Sequence, residues 1–324
     1  MCFAGKAGIR MPNREDRSAL YHKMILAANL YYKDKLSQQE IAQQLHISRP
    51  WVSKLLARAE EEGIVRIEVR SPGCSSDVLA EELKGKYRLA HAGVVAHRIN
   101  AGDDPLACAA AAYFLSVLQP DDTVGVGWGT SVSRLIARTE RRSLPQVQII
   151  PLAGSFGNTI SHVPNVSAMR LAEVLGASAR TIHTPARCIS RSEYDTLFAN
   201  PSTRAILSQA EHAGILLVGI GAFEDSISPQ YGIFSPGEIE ALRQKDAIGD
   251  VALQYLNSAG QPIDTEATKR LIKADLLKAS ANARLSIGIA AGLRKVQTMD
   301  AALRLRLVNV LFTDDETALA LLSL

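Results

Sequence analysis

Polar and basic residues gather at the start of one segment near the beginning of the chain. Arg49 and Lys54 are its cations, and Ser48, Ser53 and Trp51 lie beside them. An arginine can donate two hydrogen bonds to a guanine edge in the major groove of DNA, and a lysine can neutralise a backbone phosphate. This segment therefore predicts a helix whose first turn contacts DNA, with Arg49 on a base and Lys54 on a phosphate.

A capping-box pattern precedes that segment. Ser37 and Glu40 have the S-x-x-E spacing that satisfies free amide donors at the start of a helix. Ser37 and Gln38 would then lie at a helix N-terminus, which attracts phosphate. The sequence predicts that both residues meet the DNA backbone.

The elements around these residues follow a recognisable order. Apolar residues recur every three or four positions over residues 17–34, a short second helix follows Ser37 and breaks near His46, and Ser48 caps a third helix. Residues 64–70 alternate like a strand. This order predicts a winged helix-turn-helix. The alternative is a small helical bundle whose charges are merely solvated.

A glycine-rich loop follows a predicted strand over residues 123–126. Gly127 and Gly129 would let the backbone approach an anion, and Thr130 and Ser131 would add hydroxyl groups at a helix start. The spacing matches neither a P-loop nor a dinucleotide-binding fingerprint. Glycines at such turns are often only structural, so this loop by itself leaves anion binding open.

Two further glycine-containing loops follow predicted strands. One contains Gly219 and Gly221, and the other carries Arg294 and Lys295 directly after Gly292. Ligands of open α/β sheets bind beyond the carboxyl ends of the strands, where such loops lie. Lys295 would suit a phosphate there, although a lysine after a glycine is more often simply solvated.

Length, composition and charge limit the class of protein. The chain has 324 residues, with 47% apolar, 21% charged and 5% aromatic residues, which fits a soluble protein of two or three domains. The net charge is only +3, but residues 1–58 hold 10 Lys/Arg against 4 Asp/Glu, a net charge of +6. This asymmetry predicts a DNA-contacting unit on a near-neutral body. The low aromatic content argues against a platform that stacks single-stranded nucleic acid.

The four cysteines, Cys2, Cys74, Cys108 and Cys188, are far apart. They form no C-x-x-C pair and no zinc spacing with histidine, so neither a disulfide framework nor a metal site is predicted, and no cofactor is indicated. The apolar stretches are shorter than the ~20 residues of a membrane helix, and residues 1–12 lack the apolar core of a secretion signal. We therefore expect a cytoplasmic protein that makes no membrane contact.

Four segments are predicted along the chain. They are a loosely ordered extension at 1–16, a DNA-binding domain at 17–70, a turn-rich linker at 71–76 and a body at 77–324. Short apolar strands alternate with helices in the body, which indicates a mainly parallel sheet covered on both faces. The predicted strands are residues 90–96, 123–126, 147–152, 181–183, 215–220, 251–255, 285–290 and 308–312. The predicted helices are residues 77–87, 106–118, 131–139, 166–175, 201–212, 236–245 and 298–305.

Several strings of the sequence resemble those of a known family. The string from Leu36-Ser37-Gln38-Gln39-Glu40 to Leu56-Ala57-Arg58-Ala59 resembles the N-terminal module of SorC/DeoR-type sugar-responsive bacterial transcription regulators. Later strings are similar to successive motifs of that family's effector domain: Gly125-Val126-Gly127-Trp128-Gly129, Val218-Gly219-Ile220-Gly221, Ile248-Gly249-Asp250-Val251, Ala291-Gly292-Leu293-Arg294-Lys295 and Val308-Asn309-Val310-Leu311-Phe312-Thr313-Asp314-Asp315-Glu316-Thr317-Ala318. The similarity covers nearly the whole chain from about residue 20.

The resemblance implies both a fold and a site. The fold would be an N-terminal winged helix-turn-helix followed by an α/β effector domain of the glucosamine-6-phosphate deaminase/isomerase-like type, with catalysis lost. The phosphate of an effector would bind to Lys295 and to the glycine-rich loop, Asp250 would accept hydrogen bonds from sugar hydroxyls, and Asn165 would lie near the same pocket. The loop residues are Gly127, Trp128, Gly129, Thr130 and Ser131.

Three positions depart from the family pattern. The glycine-rich loop reads Gly129-Thr130-Ser131, where Gly-Arg-Thr or Gly-Thr-Thr would be more usual. Trp51 stands where a smaller residue is expected, which leaves the operator sequence open. Ala153 stands where some members carry Arg or Lys, so a contact made there by those members, including a Schiff base with an aldehyde sugar, is absent. This departure favours a singly phosphorylated sugar or an uncharged polyol over a doubly phosphorylated sugar.

The leading hypothesis is a DNA-binding regulator of a carbohydrate or polyol catabolic operon, controlled by a sugar effector and assembled through its body into dimers or tetramers. An alternative is a sugar-phosphate isomerase or deaminase with an appended DNA-binding head. That chemistry needs a positioned acid/base pair. His162 and His183, the histidines nearest to predicted strand ends, have no carboxylate beside them in a ligand loop, so no catalytic residue is predicted. A constitutive architectural DNA binder would not need so large an α/β body.

Overall fold

The computed structural model describes residues 14–62, 64–65, 76–96, 104–156, 163–224 and 233–324. The chain divides into two compact units, the N-terminal unit (Met1–Ser71) and the body (Pro72–Leu324). The predictions for residues 1–13, for a strand at 66–70 and for a linker at 71–75 lie outside the described residues. Within the described ranges, every helix is too short or too polar to span a bilayer.

Three helices build the N-terminal unit. Helix α1 (Arg14–Ala28) continues into a π-helical turn (Asn29–Lys33), and α2 (Gln38–Gln44) and α3 (Arg49–Glu61) follow. One apolar stripe of each helix faces a common core, as the periodicity predicts. The most deeply buried side chains of this core are Met24, Ala27, Ile41, Val52, Leu55 and Ala59.

Both predicted helix starts are present, but the two caps differ. The Ser37 N–H donates to Glu40 Oε2 at 2.7 Å, and the Glu40 N–H donates to Ser37 Oγ at 3.3 Å, which completes the capping box. Ser48 occupies the N-cap position of α3 without a capping hydrogen bond from its side chain. Between α2 and α3, His46 adopts φ 53°, a left-handed conformation that turns the chain sharply. The helix-turn-helix is therefore confirmed.

The body is built on a nine-stranded sheet in the described part of the chain. Seven strands run parallel in the order β1-β9-β8-β5-β2-β3-β4, which confirms the predicted parallel sheet. Strand β6 pairs antiparallel with the end of β5, and β7 pairs antiparallel with β6. The strands are β1 (His91–Val95), β2 (Thr123–Val126), β3 (Gln148–Pro151), β4 (Ser178–Ala179), β5 (Ile215–Ala222), β6 (Ala247–Val251), β7 (Gln254–Asn257), β8 (Leu285–Ile289) and β9 (Val310–Asp314).

Helices cover both faces of the sheet. Helices α5, α6 and α7 pack on one face, and helices α4, α9, α11, α12 and α13 pack on the other. Successive residues of a strand therefore enter opposite cores: Leu217 lies in the first and Val218 in the second. The helices of the body are α4 (Ser76–Tyr87), α5 (Pro105–Val117), α6 (Thr130–Arg138), α7 (Pro164–Leu175), α8 (Arg191–Ala199), α9 (Pro201–Glu211), α10 (Pro236–Arg243), α11 (Leu276–Asn282), α12 (Val296–Arg304) and α13 (Asp315–Ser323).

Two predicted strands are wrong. The apolar run at 251–255 is not one strand, because Ala252 and Leu253 adopt φ 46° and 68° and turn the chain between β6 and β7. Residues 181–183 form no strand, and the short strand β4 lies earlier, at Ser178–Ala179. The sequence patterns also missed helices α8, α11 and α13. A deaminase/isomerase-like classification of the body stays a prediction.

Candidate effector site and DNA-binding helices

The loop after β2 (residues 127–131, the β2 loop) is held against β5. The Gly127 N–H donates to the Leu217 carbonyl oxygen at 2.8 Å, so the backbone pairing of the two strands continues into the loop. A Cβ atom at residue 127 would lie 3.2 Å from that oxygen, and only glycine fits there without displacement. Gly129 adopts φ 110° and caps helix α6, which begins at Thr130. The loop thus delivers the free amides of a helix start to the carboxyl edge of the sheet.

The Trp128 side chain is part of the wall behind this loop. It is buried, and its ring centroid lies 4.6 Å from that of Phe156. Both rings belong to an apolar cluster that also contains Ala153 and Leu253. The structure therefore gives the Trp128 indole a packing role, and its contact with an effector stays a prediction.

The loop after β8 (residues 290–295, the β8 loop) carries Lys295. Gly292 adopts φ 112°, and its N–H donates to Thr317 Oγ1 at 2.8 Å, which ties the loop to the start of α13. A single 3₁₀ turn, Leu293–Lys295, then leads into α12, and Lys295 is half-buried there. Strands β2 and β8 both flank β5 and run parallel to it. Their loops therefore leave the same edge of the sheet, on either side of β5.

Asp250 reaches this edge from the β6–β7 hairpin. It pairs with Gly221 of β5 and is buried, and its Oδ2 accepts a hydrogen bond from the Leu253 N–H at 3.0 Å. The turn of the hairpin also approaches the β2 loop, because Ala252 Cβ lies 3.7 Å from the position of a Cβ on Gly127. The β2 loop, the end of β5 and the hairpin thus converge around Asp250.

Asn165, on the first turn of α7, joins two loops of the same region. Its Nδ2 donates to Ser155 Oγ at 2.8 Å and to the Ile182 carbonyl oxygen at 2.9 Å, and its Oδ1 accepts from the Ile182 N–H at 3.0 Å. These three hydrogen bonds hold the segment after β4 beside the loop after β3. The geometry gives Asn165 a positioning role, and a direct contact with an effector stays a prediction.

Lys273 is a residue of this region that the sequence patterns missed. It forms an antiparallel bridge with Ala153, just beyond β3, and its Nζ donates to Gln254 Oε1 at 3.1 Å. Burial lowers the pKa of Lys273, against the opposing effects of Asp275 and Asp264. Lys273 follows no strand-to-helix glycine motif, so local spacing gave no signal for it.

The predicted DNA-contacting residues lie on the surface of the N-terminal unit. Arg49, Ser53 and Lys54 are exposed on α3, whereas Val52 of the same helix is fully buried. Trp51 is exposed, and Lys54 Nζ lies 5.8 Å from its ring centroid, within the range of a cation–π contact.

The start of α2 is also accessible. Ser37 is exposed and Gln38 is half-buried. Hydrogen bonds from the Ser37 backbone and side chain lower the pKa of Glu40, so this carboxylate stays ionised as it completes the capping box. Among the described residues, no three His, Cys, Asp or Glu side chains are grouped to hold a metal ion.

Comparisons with known proteins decide the family. Residues 74–323 match the family model described as "Putative sugar-binding domain", and residues 25–66 match one described as "Homeodomain-like domain". The chain is also 31% identical over 304 residues to the deoxyribonucleoside regulator of Bacillus subtilis, across 92% of this chain and 96% of that protein. This chain belongs to the SorC/DeoR-type family of sugar-binding transcriptional regulators.

Other members of the SorC/DeoR-type family are similar over their whole length. The sorbitol operon regulator of Klebsiella pneumoniae is 28% identical, across 92% of this chain and 97% of that protein. The crystal structure of full-length SorC from Klebsiella pneumoniae superimposes with a TM-score of 0.71 at 27% identity, covering 94% of this chain and 99% of that one. This SorC/DeoR-type chain is therefore a DNA-binding, sugar-responsive regulator of transcription.

Proposed function

We propose that the chain regulates a carbohydrate or polyol catabolic operon, and that a singly phosphorylated sugar bound in the body sets its affinity for operator DNA. One observation carries the proposal. The β2 loop and the β8 loop leave the same edge of the sheet on either side of β5, so a helix start and a lysine flank one site.

The chemistry of the two loops suits a phosphate. The first amides of α6 have no carbonyl partners within the helix, and the helix dipole favours negative charge at this end. Thr130 and Ser131 add hydroxyl donors, and Lys295 brings a full positive charge from the other side of β5. These donors already lie at the start of α6 and after β8, so they could neutralise an anion without a rearrangement of the helices or strands.

Asp250 suits the sugar rather than the phosphate. A carboxylate repels a phosphate, but it accepts several hydrogen bonds from hydroxyl groups. Asp250 is fixed by its pairing with Gly221 and by the hydrogen bond from Leu253, so its position does not depend on a ligand. The sugar would therefore lie between the β2 loop and the hairpin, with its hydroxyls toward Asp250.

A regulator fits the site better than an enzyme. Turnover of a sugar phosphate needs an acid/base pair at the substrate. His183, one of the two histidines considered for that role, is exposed and hydrogen-bonded to Thr181 Oγ1 at 3.0 Å, and His162 lies outside the described residues. The similar proteins are named as regulators of transcription. We propose that the chain is not an enzyme and that it acts in the cytoplasm, where operator DNA lies.

The test compares two neighbouring cations of the β8 loop. A thermal-shift screen of sugars, polyols and their phosphates first identifies the best ligand, because a ligand that binds only the folded state raises the melting temperature. Operator affinity of the full chain is then measured with and without that ligand. Lys295→Ala should abolish the response and leave ligand-free DNA affinity unchanged, because Lys295 belongs to the body.

Arg294→Ala is the matched control. It removes the same charge one residue earlier, from a side chain that is more exposed than that of Lys295. We expect this variant to keep most of the response. A Lys295→Ala protein that responds at the unchanged ligand concentration would refute the phosphate site and favour an uncharged polyol held by Asp250.

A further inference from the structure

A short segment that crosses the end of β3 (residues 271–274, the crossing segment) places Lys273 beside the proposed site. The Gly154 N–H donates to the Ile272 carbonyl oxygen at 2.9 Å, and the Ala274 N–H donates to the Leu152 carbonyl oxygen at 2.8 Å. Lys273 lies directly opposite Ala153 in this antiparallel bridge. Residues that face each other across such a bridge project to the same side.

That side is the wall of the proposed effector site. Ala153 packs in the apolar cluster of Trp128 and Leu253. Lys273 Nζ reaches Gln254 Oε1 at 3.1 Å, and Gln254 follows directly after Leu253, whose N–H is bound to Asp250. The ammonium group therefore lies between the loop after β3 and the hairpin that carries Asp250.

The crossing segment is fixed before any ligand arrives. Arg270 and Arg187 both donate to Glu238, with N–O distances of 2.6 to 2.7 Å, and Glu238 is largely buried at the start of α10. Burial would raise the pKa of Glu238, but hydrogen bonds from Arg187 and Ser235 prevail and lower it to about 2. The start of the crossing segment is thus anchored by an ion-pair network that stays charged at neutral pH.

In the described part of the chain, the Lys273 side chain donates its hydrogen bond to a neutral amide, that of Gln254. Burial lowers the pKa of Lys273, and the carboxylates of Asp275, Asp264 and Glu211 act on it through space in the opposite direction. A buried charge costs free energy unless it is paired. An anionic group of a ligand at this wall would give the Lys273 ammonium group a charged partner in place of the neutral amide.

We propose that Lys273 binds a carboxylate at the end of the effector opposite its phosphate, so that the effector is a phosphorylated sugar acid. This inference rests on the proposed function, because it takes the β2 loop and Lys295 as the phosphate site.

The charges at the two ends of the site indicate that the group at Lys273 is a carboxylate and not a second phosphate. The phosphate end has a helix start, two hydroxyl groups and Lys295, which together suit a group of nearly two negative charges. The Lys273 end offers one ammonium group and the neutral Gln254 amide. One positive charge neutralises one carboxylate, whereas a phosphate dianion would keep an unpaired negative charge in a partly buried place.

The test uses two ligands that differ at one carbon atom. Calorimetry of the full chain compares a hexitol 6-phosphate with the corresponding hexonate 6-phosphate, in which the C1 hydroxymethyl group is replaced by a carboxylate and the chain stays open. We expect the native protein to bind the hexonate ester at least about tenfold more tightly. Lys273→Met should remove this preference and leave the affinity for the hexitol ester unchanged. Lys273→Arg, which keeps the charge, should retain part of the preference.

Two further variants make the result specific. Lys269→Met removes an exposed lysine from the turn just before the crossing segment and should change neither affinity. Lys295→Ala should lower the affinity for both esters, because both carry the phosphate. Thermal unfolding of Lys273→Met should show a folded protein, since methionine fills a similar volume without a buried charge.

Several outcomes would overturn the inference. Equal affinity of the native protein for the two esters would do so and would leave the proposed phosphate site standing. An equal loss of affinity for both esters in Lys273→Met would also overturn it. So would borohydride trapping of a hexose 6-phosphate adduct on Lys273, because that adduct would show an imine instead of an ion pair. Failure of both esters to bind the native protein would refute the phosphate site as well.

Discussion

Arg49 and Lys54 project from one helix but should contribute to DNA binding in different ways. Both are exposed on α3, beside the buried Val52. If Arg49 contacts a base edge, Arg49→Ala should cost about 1–3 kcal/mol at the operator and relax specificity at one base pair. If Lys54 contacts a phosphate, Lys54→Ala should weaken binding to all DNA sequences alike. It should also reduce the slope of log affinity against log salt concentration by about 1.

Titration of operator and scrambled DNA at several salt concentrations separates the two effects. Lys23 lies on α1 and is a suitable control, because Lys23→Ala removes the same charge away from α3. The same experiment should include Trp51, since the Lys54 ammonium group lies 5.8 Å from the centroid of its exposed ring. Unchanged operator affinity in both variants of α3 would refute its assignment as the recognition helix.

At the scale of elements, the start of α6 depends on the conformation of one glycine. Gly129 adopts φ 110°, and an added Cβ would meet no atom within 4 Å, so substitution is opposed by backbone strain and not by space. Gly129→Ala should therefore lower the free energy of unfolding by about 1–2 kcal/mol. The same substitution should also lower the affinity for the effector, because the strained start of α6 would rearrange. Chemical denaturation and calorimetry measure the two effects.

Gly237 provides the matched control for that prediction. It lies in the first turn of α10, has an equally open environment and carries no positive φ. Gly237→Ala should be neutral or should stabilise the protein by up to about 1 kcal/mol, because alanine is the better helix former. Equal destabilisation by both substitutions would contradict the conformational argument.

The elements also show what local pattern can and cannot predict. The capping box at Ser37 and the glycines of the β2 loop were visible because their partners lie within a few residues. The bridge between Ala153 and Lys273 joins residues far apart in sequence, so no spacing could reveal it. The apolar run at 251–255 was misread because positive φ at Ala252 and Leu253, rather than a glycine, turns the hairpin.

At the scale of the whole molecule, we predict a dimer or tetramer. One helix-turn-helix reads half of an operator, and two-fold symmetry lets a pair read both halves. The body exposes apolar side chains on several helices, among them Val78 on α4 and Leu319 on α13, which suit contacts between copies. Sedimentation at micromolar concentration should give two or four times the chain mass of 35.0 kDa. A monomer with full operator affinity would contradict this.

The order of the two units along the chain has a consequence during protein synthesis. The buried core residues of the N-terminal unit all lie between residues 24 and 59. During synthesis this unit emerges from the ribosome, and can fold, before the body. The proposed effector site needs the β2 loop, the hairpin and finally Lys295, which is synthesised only after β8. An interrupted chain would therefore carry a DNA-binding head that no metabolite can control. Because one helix-turn-helix reads only a half-site, the predicted assembly through the body would keep such fragments from occupying operators.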